Sequence, residues 1–149
     1  IGHSQGGIIA AQLASESDIR ARYSVASVLT AGSPVAGFHP DPGVPMLNME
    51  NTRDIVPALD GAANTNRGNA LTLHFDSEHL DVKQGSDNPI AAHDIGTYTQ
   101  AIRECEQVNP QQNPNIGEVI RWEEQRRTRL GITDRTQTRS YIFDTRRVT

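Results

Sequence analysis

Apolar positions fall in short blocks separated by Gly, Pro and Asn clusters, and the period changes from block to block. Gly6 to Ala14 reads as a helix. Ile8, Ile9, Ala10, Ala11 and Leu13 give it an almost all-round apolar surface, as on a helix packed under a sheet. Ser15-Glu16-Ser17-Asp18 closes it, and Asp18 is placed to cap a short turn through Tyr23. Val25 to Ala31 is a continuous run of small and β-branched residues, the pattern of a strand buried on both faces of a parallel sheet. It ends at Gly32-Ser33-Pro34. After a Pro-rich loop, Val44 to Met49 reads as a second short strand, and Leu71, Leu73 and Phe75 alternate with polar residues as a third. Asn51 to Asp60 and Ser77 to Pro89 read as loops. Ala92 to Gln107 is helical by period, with Ile95, Tyr98, Ile102 and Cys105 on one stripe. Asn109 to Asn115 reads as a linker, Ile116 to Arg129 as an amphipathic helix with Val119, Ile120 and Trp122 inward, and Tyr141-Ile142-Phe143 as a short strand in the tail.

Strands alternating with helices and long connections predict an α/β fold with a parallel sheet. The opening Gly2-His3-Ser4-Gln5-Gly6-Gly7 adds chemistry to that pattern. Gly2-x-Ser4-x-Gly6 is a nucleophile-elbow motif, in which a serine sits on a sharp turn between a strand and a helix with its hydroxyl above the sheet. Gly2 and Gly6 are expected to let neighbouring backbone approach without Cβ clashes. The strand feeding the elbow falls before Ile1, so the chain is expected to be the C-terminal part of a longer protein, with further strands upstream. By the same reasoning, residues 1–149 alone are expected to be inactive. Serine attacks only when a base takes its proton. The backbone N–H of Gln5, at the start of the following helix, is the natural donor to a developing oxyanion, with a second donor expected from an upstream loop.

In hydrolases built this way the acid and then the histidine follow the serine. Asp54, just beyond the second strand, is the favoured acid; Asp60, deeper in a Gly/Ala loop, reads as a turn residue. Asp54 could instead cap its loop or pair with Arg53 or Arg67. Five histidines compete for the base. His3 reads as lining or supporting the pocket and is assigned to substrate binding. His39 precedes the acid, and His74 is fixed within a strand. His93, at the turn into a helix, is favoured, with His79 as runner-up. His74, Asp76, His79 and Asp81 also have metal-ligand chemistry, but a polar strand end with solvated side chains is the commoner meaning of that spacing, and no metal is assigned.

Composition narrows the partners. Fourteen basic against eighteen acidic side chains, a net charge of −4, argue against a general nucleic-acid binder. Cys105 is the sole cysteine, which excludes an internal disulfide and a multi-cysteine zinc site. No apolar run approaches the roughly 20 residues that span a bilayer.

With these residues in place, the chain resembles the C-terminal part of a lipase or esterase of the α/β-hydrolase superfamily. Gly2 to Gly7 matches the lipase-type elbow. Thr30-Ala31-Gly32-Ser33-Pro34 resembles the strand end that class 3 lipases place after the elbow helix. Asp54-Ile55-Val56-Pro57 resembles their acid-bearing segment, and His93 followed by Tyr98 their histidine-then-tyrosine helix start. The pattern is also similar, less closely, to uncharacterised actinobacterial hydrolases. The resemblance covers roughly residues 1–105 and implies Ser4 as nucleophile, Asp54 as orienting acid and His93 as general base. It implies that residues 1–108 form the C-terminal part of an α/β-hydrolase domain. Residues 109–149 remain as a polar linker, a short helix and an Arg/Thr-rich tail. Gln5 stands where many such lipases have Leu, only 39 positions separate Asp54 from His93, and residues 110–149 match nothing in the family. These departures argue against carrying triacylglycerol over as the substrate.

The expected activity is ester hydrolysis through an acyl-enzyme, on a small-molecule or lipid ester, with no metal or organic cofactor and with the upstream half of the same domain as partner. An acyltransferase or thioesterase using the same three residues, and a non-catalytic hydrolase-fold binding module, are the alternatives.

Overall fold

A computed structural model of the chain describes residues 1–80, 88–105, 107 and 114–132. Its centre is a sheet of four parallel strands in the order β1 (Gly2–His3), β2 (Val28–Ala31), β3 (Met46–Asn51) and β4 (Ala70–Phe75). Helices α1 (Gln5–Ser15) and α2 (Ser17–Arg22) connect β1 to β2. After β4 come α3 (Pro89–Ala92), α4 (Ile95–Cys105) and α5 (Pro114–Arg129). The α/β arrangement read from the sequence is therefore present, with flanking helices. Among the described residues no helix is long and apolar enough to cross a membrane.

Two apolar layers cover the sheet. On one face Ala31, Leu47, Met49 and Leu73 pack with Tyr98 and Ala101 of α4 and Trp122 of α5. On the other, Ala11 and Ala14 of α1 pack with Val28, Val35, Val44 and Met46. Trp122 thus joins the same core as Tyr98, although it lies beyond the Asn109–Asn115 segment. Within the sheet a buried polar row crosses three strands: Thr30 Oγ1 donates to Asn48 Oδ1 (2.9 Å) and Asn48 Nδ2 to Thr72 Oγ1 (3.3 Å). Each partner satisfies the next, so the row carries little of the usual penalty for burying polar atoms.

Several element boundaries differ from those the sequence predicts. β2 begins at Val28 rather than Val25, and β3 at Met46 rather than Val44. Pro45 explains both: it has no N–H to give a ladder, and its carbonyl serves only to accept from Val28 N (2.9 Å). β3 runs on to Asn51 because β4 pairs with it that far, Asn51 opposite Phe75. The strand that feeds the elbow, expected before Ile1, is found within the chain as Gly2–His3, which pairs with Thr30 and Ala31. α1 is not buried all round: Gly7, Ala11 and Ala14 face the sheet, while Ile9 and Leu13 are exposed. Glu16, not Asp18, occupies the N-cap of α2. The loop after β4 opens with a 3-10 turn, Ser77–His79.

The predicted helix Ala92–Gln107 is broken at His93-Asp94. Asp94 starts a new helix by taking Gly96 N on its side chain (2.7 Å) and Thr97 N on its carbonyl (3.0 Å). The buried stripe of α4 is then Thr97, Tyr98 and Ala101, and Ile95 turns outward, 52% exposed. Most of the Asn109–Asn115 linker and the Tyr141–Phe143 strand lie outside the described residues, as does Asp81.

Candidate active site

β1 turns into α1 within one residue, Ser4, whose backbone takes φ 56° and ψ −127°. It is the only non-glycine residue with positive φ among those described. Such a conformation costs about 1–3 kcal/mol and persists only when its surroundings impose it. Here Ser4 N donates to Ala31 O (2.9 Å) and Ser4 O accepts from Gly7 N (3.0 Å). Ser4 occupies the N-cap of α1, yet its hydroxyl makes no cap bond. The left-handed turn aims it elsewhere.

It aims at His93. The Ser4 hydroxyl donates to His93 Nε2 (2.9 Å), and His93 Nδ1–H donates to Asp54 Oδ2 (2.7 Å). The carboxylate can only accept, so the proton of the neutral ring sits on Nδ1 and leaves the Nε2 lone pair facing the hydroxyl. The Asp54 side chain is fully buried and His93's is 22% exposed. Both carboxylate oxygens of Asp54 are occupied: Oδ1 accepts from Val56 N (2.9 Å), and Oδ2 accepts from Tyr98 O–H (2.6 Å) as well as from His93. Three residues expected to act together, 39 and 89 positions apart along the chain from His93, therefore form one hydrogen-bonded relay. Asp54 makes no ion pair with Arg53 or Arg67. Arg53 engages Asp76 (2.6 Å) and Glu78, and Arg67 donates to Ala36 O.

Of the other predicted residues, Gln5 and His3 adjoin this relay and the rest lie apart from it. Gln5 is the first residue of α1, so its N–H is one of the helix-end donors without an intrahelical partner, beside Ser4 at the positive end of the helix. His3, assigned to substrate binding, spends its Nε2–H on the His93 carbonyl (2.8 Å), with the two rings 4.7 Å apart. Asp60 accepts from Ala36 N (3.0 Å) and Ala62 N (3.3 Å), as a turn residue does. His79 is exposed in its 3-10 turn, and His39 faces Gly37 O (3.1 Å). His74 Nδ1 lies 3.5 Å from Glu50. Asp76, paired with Arg53, also caps the turn through Glu78 N (2.9 Å). Among the described residues no group of three or more His, Cys, Asp or Glu side chains is arranged to hold a metal.

Three supporting residues escape a reading of residue types. Asn51, at the end of β3, is buried and bonds Ser77 and Ala92. Gly32 has φ 58°, and a Cβ there would lie 2.8 Å from Asp54 Oδ2 and 2.9 Å from the Tyr98 hydroxyl. Tyr98, read from periodicity as a core position, donates to the acid while its oxygen accepts from Asn51 N (3.2 Å). The one signal for it is the histidine-then-tyrosine resemblance.

Burial, followed by the hydrogen bond to Asp54, holds the Tyr98 phenol well above its ordinary value near 10. A raised phenol stabilises the fold fully below about pH 10, where folded and unfolded states are both protonated, and that contribution is lost as pH rises further. Tyr98→Phe is therefore expected to lower stability by about 1.5–3 kcal/mol near neutrality, the worth of a hydrogen bond to a charged group. It should also flatten the fall in melting temperature above pH 10. Urea titrations at pH 7 and melts from pH 8 to 11 check both effects.

Compared with protein-family models, with curated proteins and with solved structures, the chain matches none.

Proposed function

We propose that this chain carries the nucleophile, acid and base of a serine hydrolase of the α/β-hydrolase type, similar to class 3 lipases, that cleaves carboxylic esters. The observation that carries the reading is the continuous relay from Ser4 Oγ through His93 to Asp54, with the serine on a left-handed turn at a helix N-terminus.

The chemistry follows from the protons. As Ser4 Oγ bonds to the ester carbonyl carbon, its proton passes to His93 Nε2, and the ring becomes cationic between Ser4 and the buried Asp54 carboxylate. The carbonyl π pair moves onto oxygen, beside the Gln5 N–H. When the C–O bond to the alcohol breaks, His93 returns the proton to the leaving oxygen. Water then repeats the sequence on the acyl-serine, giving the acid and free Ser4. Asp54 holds the ring in place, its two carboxylate oxygens accepting from Val56 N, Tyr98 O–H and His93 Nδ1–H.

A fluorophosphonate probe on the full-length protein tests this reading. Attack of Ser4 on phosphorus with loss of fluoride should label the folded wild type once, and Ser4→Ala should take no label. Folded wild type that takes no label would leave a binding module instead. Comparing p-nitrophenyl esters with acyl thioesters, with and without alcohol acceptors, separates hydrolase from thioesterase and acyltransferase.

A further inference from the structure

His93 does not lie in a helix. In an unbroken helix the carbonyls of Ala92 and His93 would accept from Gly96 N and Thr97 N. Asp94 takes both of those donors, and the two carbonyls go to side chains from two different strands. Asn51 Nδ2, at the end of β3, donates to Ala92 O (2.9 Å). His3 Nε2–H, at the end of β1, donates to His93 O (2.8 Å).

Both donors are held by other contacts. Asn51 is 2% exposed; its Nδ2 also donates to Ser77 Oγ (2.9 Å), and its Oδ1 accepts from Arg53 N and Ser77 N (3.2 Å each). Amide oxygen and nitrogen cannot exchange places without facing donor to donor. The His3 ring packs against the His93 ring and lies 5.6 Å from Tyr98. A peptide acceptor fixes the proton of neutral His3 on Nε2.

We infer that His3 and Asn51 are positioning residues, which clamp successive peptide carbonyls of the base segment and so hold the His93 imidazole within reach of Ser4. This rests on the serine-hydrolase reading above. One anchored carbonyl leaves a segment free to pivot; two successive ones fix its position and its rotation. The clamp replaces the backbone ladder that the helix break removes. Asn51 also joins Arg53 N, next to the acid, so acid and base segments share one anchor on β3.

Three variants of the full-length protein test the clamp. His3→Phe keeps a packed ring and deletes the N–H. His3→Gln returns an amide N–H near the same place. Asn51→Asp keeps the shape and turns the donor into an acceptor facing Ala92 O. An imidazole misplaced by about 1 Å costs about 100-fold in rate. His3→Phe and Asn51→Asp should therefore lose about 100-fold in kcat with KM unchanged, and His3→Gln should recover most of it. In a Ser4→Ala background, the downfield proton resonance of the His93–Asp54 hydrogen bond should persist in His3→Gln and be lost in His3→Phe. The His3 pair suffices if Asn51→Asp does not fold. A His3→Phe protein with wild-type kcat, or a loss of kcat with that resonance unchanged, overturns the clamp. A wild type inert to esters and to fluorophosphonate, whose resonance still depends on the His3 N–H, overturns the hydrolase reading and leaves the clamp standing.

Discussion

His93→Ala in the full-length protein is expected to cut ester turnover by about a million-fold, and Ser4→Ala by as much, because nucleophile and base act as one unit. The double variant should be no slower than either single one. The relay gives the reason: without Nε2 at 2.9 Å from Ser4 Oγ, nothing among the described contacts of that hydroxyl takes its proton. Asp54→Asn is expected to cost about ten-thousand-fold, less than loss of the base. An amide N–H facing His93 Nδ1 would drive the ring proton to Nε2, where it points at the hydroxyl it should deprotonate. Tyr98, whose bond ends on the same Asp54 oxygen, would then face that amide nitrogen and lose its acceptor. Steady-state kinetics on a chromogenic ester check all four variants, with kcat falling and KM holding. Wild-type turnover in His93→Ala would remove the basis for the proposed mechanism.

Gly2→Ala is expected to destabilise the protein by about 3 kcal/mol or more. An alanine Cβ at position 2 would lie 2.1 Å from Gly6 O, 2.3 Å from Gly6 C and 2.5 Å from Gly7 N. These are backbone atoms in the first turn of α1, and no rotamer change moves them away. Relief requires α1 to shift off the sheet or β1 to leave β2, and either displaces Ser4. Domains of this kind are held by only about 5–15 kcal/mol, so the loss is a large share of the total. Gly6→Ala makes the contrast. Nothing lies within 4 Å of a Cβ there, and alanine inside a helix is favoured over glycine by about 1 kcal/mol. Urea denaturation of the full-length variants should place Gly2→Ala well below wild type and Gly6→Ala at or above it. Equal midpoints for Gly2→Ala and wild type would show that the elbow does not need this close approach.

That contrast corrects the reading of the motif, which treats its two glycines alike. Only the first is required sterically. The second crowded position is Gly7, where a Cβ would lie 2.0 Å from the buried Ser33 Oγ. Motif spacing is a property of the chain, whereas the space around each glycine depends on what the fold brings against it.

Local pattern was enough to expect the parallel strands, α1, and Ser4, Asp54 and His93 as the residues to join, because run length, period and the order of residue types are local properties that side chains carry wherever they are placed. Local pattern also misled: Ile95 belongs to the helical stripe by period and is exposed in the fold. The break at His93 begins with Asp94, which takes two helix donors locally, but the carbonyls left over are met by Asn51 and His3, which lie 41 and 90 positions away. The aim of Ser4, the two bonds on Asp54 Oδ2 and the tautomer of His93 likewise depend on atoms from separate strands meeting at one edge of the sheet. Hydrogen bonds between distant segments form only after the chain has packed, so residue type announces which groups can pair and tertiary structure alone decides which of them do.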